Sequence, residues 1–150
     1  MQLLRTDEGS SLIEMAFILP VVLLLVFSLV DYALWIQKEI QYQDAASTAA
    51  AYGALPGNAT DSSTMTQLAT YNATGQYTAP SGFNVNATNF YSCTPGGTHV
   101  TATTACPTGA PYHYVQVTTS SSAANLIAFP GIPSSLTLSG AATYRVEVTP

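Results

Sequence analysis

A single carboxylate, Glu14, stands at the head of an uncharged run of residues, MAFILPVVLLLVFSLV from Met15 to Val30. An acid at the edge of an apolar helix costs a few kcal/mol if it is carried to the bilayer centre, so it marks either a function with a partner or a carboxylate snorkelling to the interface. The small residues Gly9, Ser10 and Ser11 precede it, behind a short polar leader, MQLLRTDE. A secretory signal peptide carries its small-residue cleavage site after the apolar run. Here such residues come before it, so a cut between Gly9 and Ser10 would leave the helix on the mature chain. That cut would create a free amine on Ser10 and make Glu14 the fifth residue.

Other reactive groups are few. His99 and His113 are the only histidines and have no acid near them in sequence. Neither a catalytic triad nor a metal cluster can be assembled around them, and no enzyme, cofactor or metal is expected. Cys93 and Cys106 lie in a Gly/Pro/Thr-rich stretch without metal-ligand spacing. They read as a disulfide formed outside the cytoplasm, stabilising a small domain by about 3 kcal/mol, with two free buried thiols as the alternative. Asn-Ala-Thr sequons begin at Asn58, Asn72 and Asn86. They offer glycan acceptors, although chance matches are common in so Ser/Thr-rich a chain.

Charged residues make up 7% of the 150 and the formal net charge is -5. The three basic residues, Arg5, Lys38 and Arg145, are too few and too dispersed to hold a phosphate backbone, which excludes nucleic-acid binding.

The elements that must position these groups start with one long helix. Extended from Leu12 through Ile36, the apolar run spans roughly 37 Å as a helix, enough to cross a bilayer core. Trp35, Ile36, Glu39, Ile40, Gln43, Ala46, Ala49 and Ala50 continue at helical steps with no breaker before Gly53 and Pro56. The spacing predicts one helix over 10–52, bent or locally loosened at Pro20. Asp31 falls where it should leave the membrane as a solvated interfacial carboxylate, and Tyr32 and Trp35 serve there as interface anchors or as packing residues. The alanine-rich end, AASTAAAYGA, lets another backbone approach closely, either the chain's own sheet or a neighbouring helix.

Leu55 to Pro111 is dense in turn formers, with a short helix over 63–71 and a strand around Phe83, Val85 and Ala87. YHYVQVTTS from Tyr112 and the alternating Leu136, Leu138, Gly140, Ala142, Tyr144, Val146 and Val148 predict two antiparallel strands, with Arg145 and Glu147 as a surface ion pair. Between them, Leu126, Ile127, Phe129 and Ile132 read as core cover or a subunit contact. The expected fold is α+β: a leader over 1–9, a transmembrane helix over 10–52, and a β-rich extracytoplasmic head over 53–150 whose sheet packs on the helix.

The segment EGSSLIEMAFILPVVLLLVFSLVDYALWIQ, Pro20 included, resembles the N-terminal motif of TadE-like proteins, pseudopilins of the tight-adherence branch of type IV pilus systems. LTLSGAATYRVEV, from Leu136 to Val148, resembles that family's closing strand. The resemblance implies a structural pilin-like subunit, major or minor, of an extracellular adhesive filament. It implies cleavage after Gly9 by a prepilin peptidase and assembly guided by Glu14. The implied partners are identical or related subunits, an inner-membrane assembly platform, and lipid before assembly. Two other readings share the helix: a membrane-anchored binding module that never polymerises, and a type II secretion pseudopilin.

Overall fold

The structure, a computed structural model, describes residues 8–107, 109–124 and 135–147, with side chains from Leu12 onward. Helix α1, Glu8–Ala54, is followed by α2, Ser62–Thr74, and by strands β1 (Phe83–Ser92), β2 (His99–Val100), β3 (Tyr112–Ala124) and β4 (Ser135–Arg145). The strands form one antiparallel, curled sheet in the order β2-β1-β3-β4, packed against the C-terminal half of α1. This is the α+β arrangement the sequence predicts.

Helix α1 runs without a break through Pro20. It also begins two residues earlier than the spacing predicts, so the Gly9–Ser10 peptide lies inside the helix. At the other end it stops at the Leu55-Pro56-Gly57 turn. There the N–H of Glu147 donates to the carbonyl of Ala54 at 2.8 Å, satisfying one of the orphan carbonyls of the last turn.

Helix α2 is longer than the predicted 63–71. Asp61 caps it, its Oδ1 accepting the Thr64 N–H at 3.1 Å, and Gly75 closes it in the left-handed conformation at φ 74°. Thr66, Thr70 and Thr74 each donate their hydroxyl to the carbonyl four residues back, at 2.7–2.8 Å. A threonine-rich segment can thus remain helical because its hydroxyls are satisfied locally.

The face of the sheet turned to α1 carries Phe83, Val85 and Ala87 from β1, Val115, Val117 and Thr119 from β3, and Leu138, Gly140 and Ala142 from β4, as the pairing register dictates. Against them α1 places Ala45, Ala46, Ala49 and Ala50, all fully buried, and α2 adds Met65 and Ala69. The alanine-rich end therefore receives the chain's own sheet. Burial of Val115 and Val117 contributes about 1.5–3 kcal/mol each, but the rest of the core is small side chains, so close backbone approach replaces bulk.

The closest approach is at Gly140. A Cβ there would lie 2.5 Å from the backbone carbon and oxygen of Tyr42 and 2.6 Å from the nitrogen of Gln43. The Thr119 hydroxyl, buried beside it, donates to the Tyr42 carbonyl at 3.1 Å. Gln43 then pairs with the free edge of β4 as another strand would: its Nε2 donates to the Ala141 carbonyl at 2.8 Å and its Oε1 accepts the Ala141 N–H at 3.0 Å.

Two readings of the strands need correction. β1 continues to Ser92, well beyond Ala87; Asn89, on the inward register but exposed, donates to the Ala59 carbonyl at 3.2 Å and so ties this part of the strand to the turn after α1. β4 ends at Arg145, although the Val146 N–H still reaches the His113 carbonyl at 2.8 Å; Val148 lies outside the described residues. Arg145 lies 4.0 Å over the ring of Tyr112 instead of pairing with Glu147, a cation–π contact that its planar guanidinium suits. The apolar segment with Leu126, Ile127, Phe129 and Ile132 lies outside the described residues.

Gly140→Ala should destabilise the head by about 3 kcal/mol, since the added methyl meets helix backbone that has no side chain to move aside. Thermal or urea unfolding in detergent measures this. A melting temperature equal to wild type would show that the helix and sheet do not depend on this approach.

Candidate assembly site

Glu14 lies one turn beyond Ser10 on α1, within a stretch whose every described side chain from Leu12 to Val30 is exposed. Gly9 and Ser10 share the helix backbone with it. Phe17 is 75% exposed and Leu29 72%. Leaving so many large apolar side chains in water forfeits the transfer energy of each, so lipid or other helices must cover them. The helix is long and apolar enough to cross a membrane. Among the described residues around it, from Leu12 to Phe17, the side chains are apolar and offer Glu14 no hydrogen bond.

Past the apolar stretch, Asp31 and Trp35 are half-buried while Tyr32 and Lys38 are exposed. From Tyr42 upward the helix is taken up by the head. The two halves of α1 therefore have different surroundings: one is packed by its own chain, the other is bare.

The expected disulfide is present. Cys93 and Cys106 are bonded with a Cα separation of 5.4 Å, enclosing β2. The three sequon asparagines are scattered. Asn72 and Asn86 are exposed, on α2 and on the sheet face away from α1, while Asn58 is half-buried in the turn after α1.

The histidines are not brought together. His99 stacks on Phe90 at 3.9 Å between ring centroids, on the outer face of the sheet. His113 stacks on Tyr91 at 4.4 Å on the inner face, with its buried Nε2 lacking a hydrogen-bond partner. Burial holds the His113 pKa below the usual imidazole value. Hydrogen bonds from the Thr64 side chain and backbone, and a further one from Tyr52, hold the Asp61 carboxyl below its usual range against an opposing effect of burial. Among the described residues no group of His, Cys, Asp and Glu could hold a metal ion.

A bare apolar helix continuous with a helix-packed antiparallel head is an α+β fold consistent with that of a pilin. Residues 9–51 match the family model described as TadE-like protein. That family is associated with tight-adherence pili and is structural rather than enzymatic in character. The match covers the helix and ends where the head begins, so the likeness read in Leu136–Val148 stands outside it. No curated protein and no solved structure matches the chain.

His113 gives a testable acid sensitivity. Its pKa is lower folded than unfolded, so the unfolded chain binds the proton more readily. Stability is full above the unfolded value of 6.5 and falls as pH drops through it. Melting temperatures measured from pH 7.5 down to 5 should therefore decline, and His113→Phe should flatten that decline. Asp61 titrates below this window. Parallel pH profiles for the two chains would show that His113 plays no part.

Proposed function

We propose that this chain is a structural subunit of a tight-adherence type filament, assembled through the N-terminal half of α1 and presenting the head outward for surface attachment. The observation that carries this reading is the division of α1: the head occupies the helix from Tyr42 to Ala54, and every described side chain from Leu12 to Val30 is exposed. Before assembly that half lies in the cytoplasmic membrane, with the head and its disulfide outside the cytoplasm. In the filament, neighbouring copies replace the lipid.

Cleavage of the Gly9–Ser10 peptide by a prepilin peptidase would free an amine on Ser10. The Glu14 carboxylate of an adjacent copy neutralises it, because a charge held among apolar helices is costly unless paired, and pairing fixes register. The assembly platform in the inner membrane draws each helix sideways out of lipid without unfolding it.

A second reading is a membrane-anchored binding module that keeps its leader and does not polymerise. In an uncut chain the Ser10 nitrogen is a peptide group and Glu14 has no amine to meet. A type II secretion pseudopilin would also share the helix and the cut. The mature N-terminus and the composition of sheared filaments separate the three.

Glu14→Ala should leave the chain in the membrane fraction while abolishing its recovery in sheared filaments. Gly9→Asp should block cleavage, leaving a product heavier by the nine-residue leader. Wild-type filament yield from the Glu14 variant, seen by immunoblotting of sheared material, would refute the assembly role.

A further inference from the structure

Lys38 and Asp44 are both exposed on α1, and neither has an ionic partner among the described residues. Six residues of α-helix separate them by ~9 Å along the axis and about 120° around it, so they cannot reach each other within one chain. Asp44 borders an open notch of ≈ 360 Å³ between α1 and α2, which Ile40, Gln41, Thr48 and Asn72 also line. The Asn72 amide nitrogen is engaged by the Leu68 carbonyl at 2.9 Å, which turns its oxygen to the role of acceptor. The notch thus offers one carboxylate, amide oxygens and a hydroxyl at its wall, and an isoleucine flank. An ammonium on an apolar stem matches that lining: three donors meet the acceptors while the methylenes lie on Ile40.

We propose that this notch receives the Lys38 side chain of a second copy, so that each subunit gives its lysine to one neighbour and takes a lysine from another. The proposal rests on the filament reading above and adds a contact to it. A displacement that sets Ser10 of one copy beside Glu14 of the next is four residues, ~6 Å. The same displacement raises Lys38 to the level of the neighbour's Tyr42, about 3 Å below Asp44 and within the sweep of a lysine side chain. One stagger therefore serves both charge pairs, at opposite ends of the apolar helix. Because donor and acceptor lie on different sides of the helix, the contact is heterologous. It propagates a filament instead of closing a dimer.

The test uses the full chain expressed in cells that assemble it, with the native Cys93–Cys106 bond in place. Filaments sheared from a Lys38→Cys/Asp44→Cys double variant should give a ladder of disulfide-linked multimers on non-reducing gels, while either single variant stays monomeric. Lys38→Glu should lower filament yield by about tenfold, since it sets like charges together at every subunit. Adding Asp44→Lys to it should restore assembly. An unchanged yield from Lys38→Glu together with no ladder overturns the proposal, as does a ladder formed by Lys38→Cys with Glu39→Cys but not with Asp44→Cys. A wild-type chain that remains in the membrane and yields no filament overturns the filament reading itself, and this pair with it.

Discussion

Everything in the head depends on how closely a strand can approach a helix. Gly140 brings the backbone of β4 against the backbone of α1 at Tyr42 and Gln43, where no side chain fits between them. That contact sets the distance at which the other strands meet the helix, and at that distance only alanine fits on the facing turns: Ala45, Ala46, Ala49 and Ala50 are all fully buried. Gly53 repeats the arrangement higher up, where a Cβ would run into Met65 and Val115. A core of small residues yields little transfer energy per side chain. The fold compensates with directed hydrogen bonds across the same seam: Thr119 to the Tyr42 carbonyl, Gln43 to both groups of Ala141, and Glu147 to the Ala54 carbonyl.

The seam explains why the helix is divided where it is. Among the described residues the seam contacts fall between Tyr42 and Ala54, so the head grips the C-terminal end of α1 and leaves Leu12–Val30 exposed. The disulfide lies at the far side of the sheet, closing the loop that holds β2 against β1. It secures the periphery and makes no contact with the helix seam.

The sequence made the periodic parts of this structure legible and hid those that depend on single polar contacts. Helix α1 could be read because apolar and alanine steps recur without a breaker, and β3 and β4 because large or small residues alternate with polar ones. β1 was legible only to Ala87. Beyond it the inward position is Asn89, whose bond to the Ala59 carbonyl joins residues thirty apart and leaves no local trace. Gln43 looks like a surface residue at helical spacing, and nothing nearby in sequence marks it as the partner of a strand edge ninety-eight residues away. Gly140 did carry a signal, since an isolated glycine in a strand often marks close backbone approach. The sequence could not tell which backbone approaches. At the candidate site, Glu14 and its apolar setting were plain from the sequence, whereas the notch beside Asp44 exists only because α2 folds back against α1.

On the reading proposed for this chain, the same division of labour decides what assembly requires. The exposed half of α1 contributes nothing to the packing of the head, and the seam above it makes no use of the membrane. Exchanging lipid for neighbouring helices around Leu12–Val30 therefore leaves every contact from Tyr42 upward in place. The free-energy change of assembly then lies in the helix surface and its few charges, not in refolding. With apolar side chains facing either lipid or other apolar side chains, the hydrophobic term changes little between the two states. Discrimination between them falls to close packing and to charge pairs, which is why a chain with so few charged residues can have its register set by two or three of them.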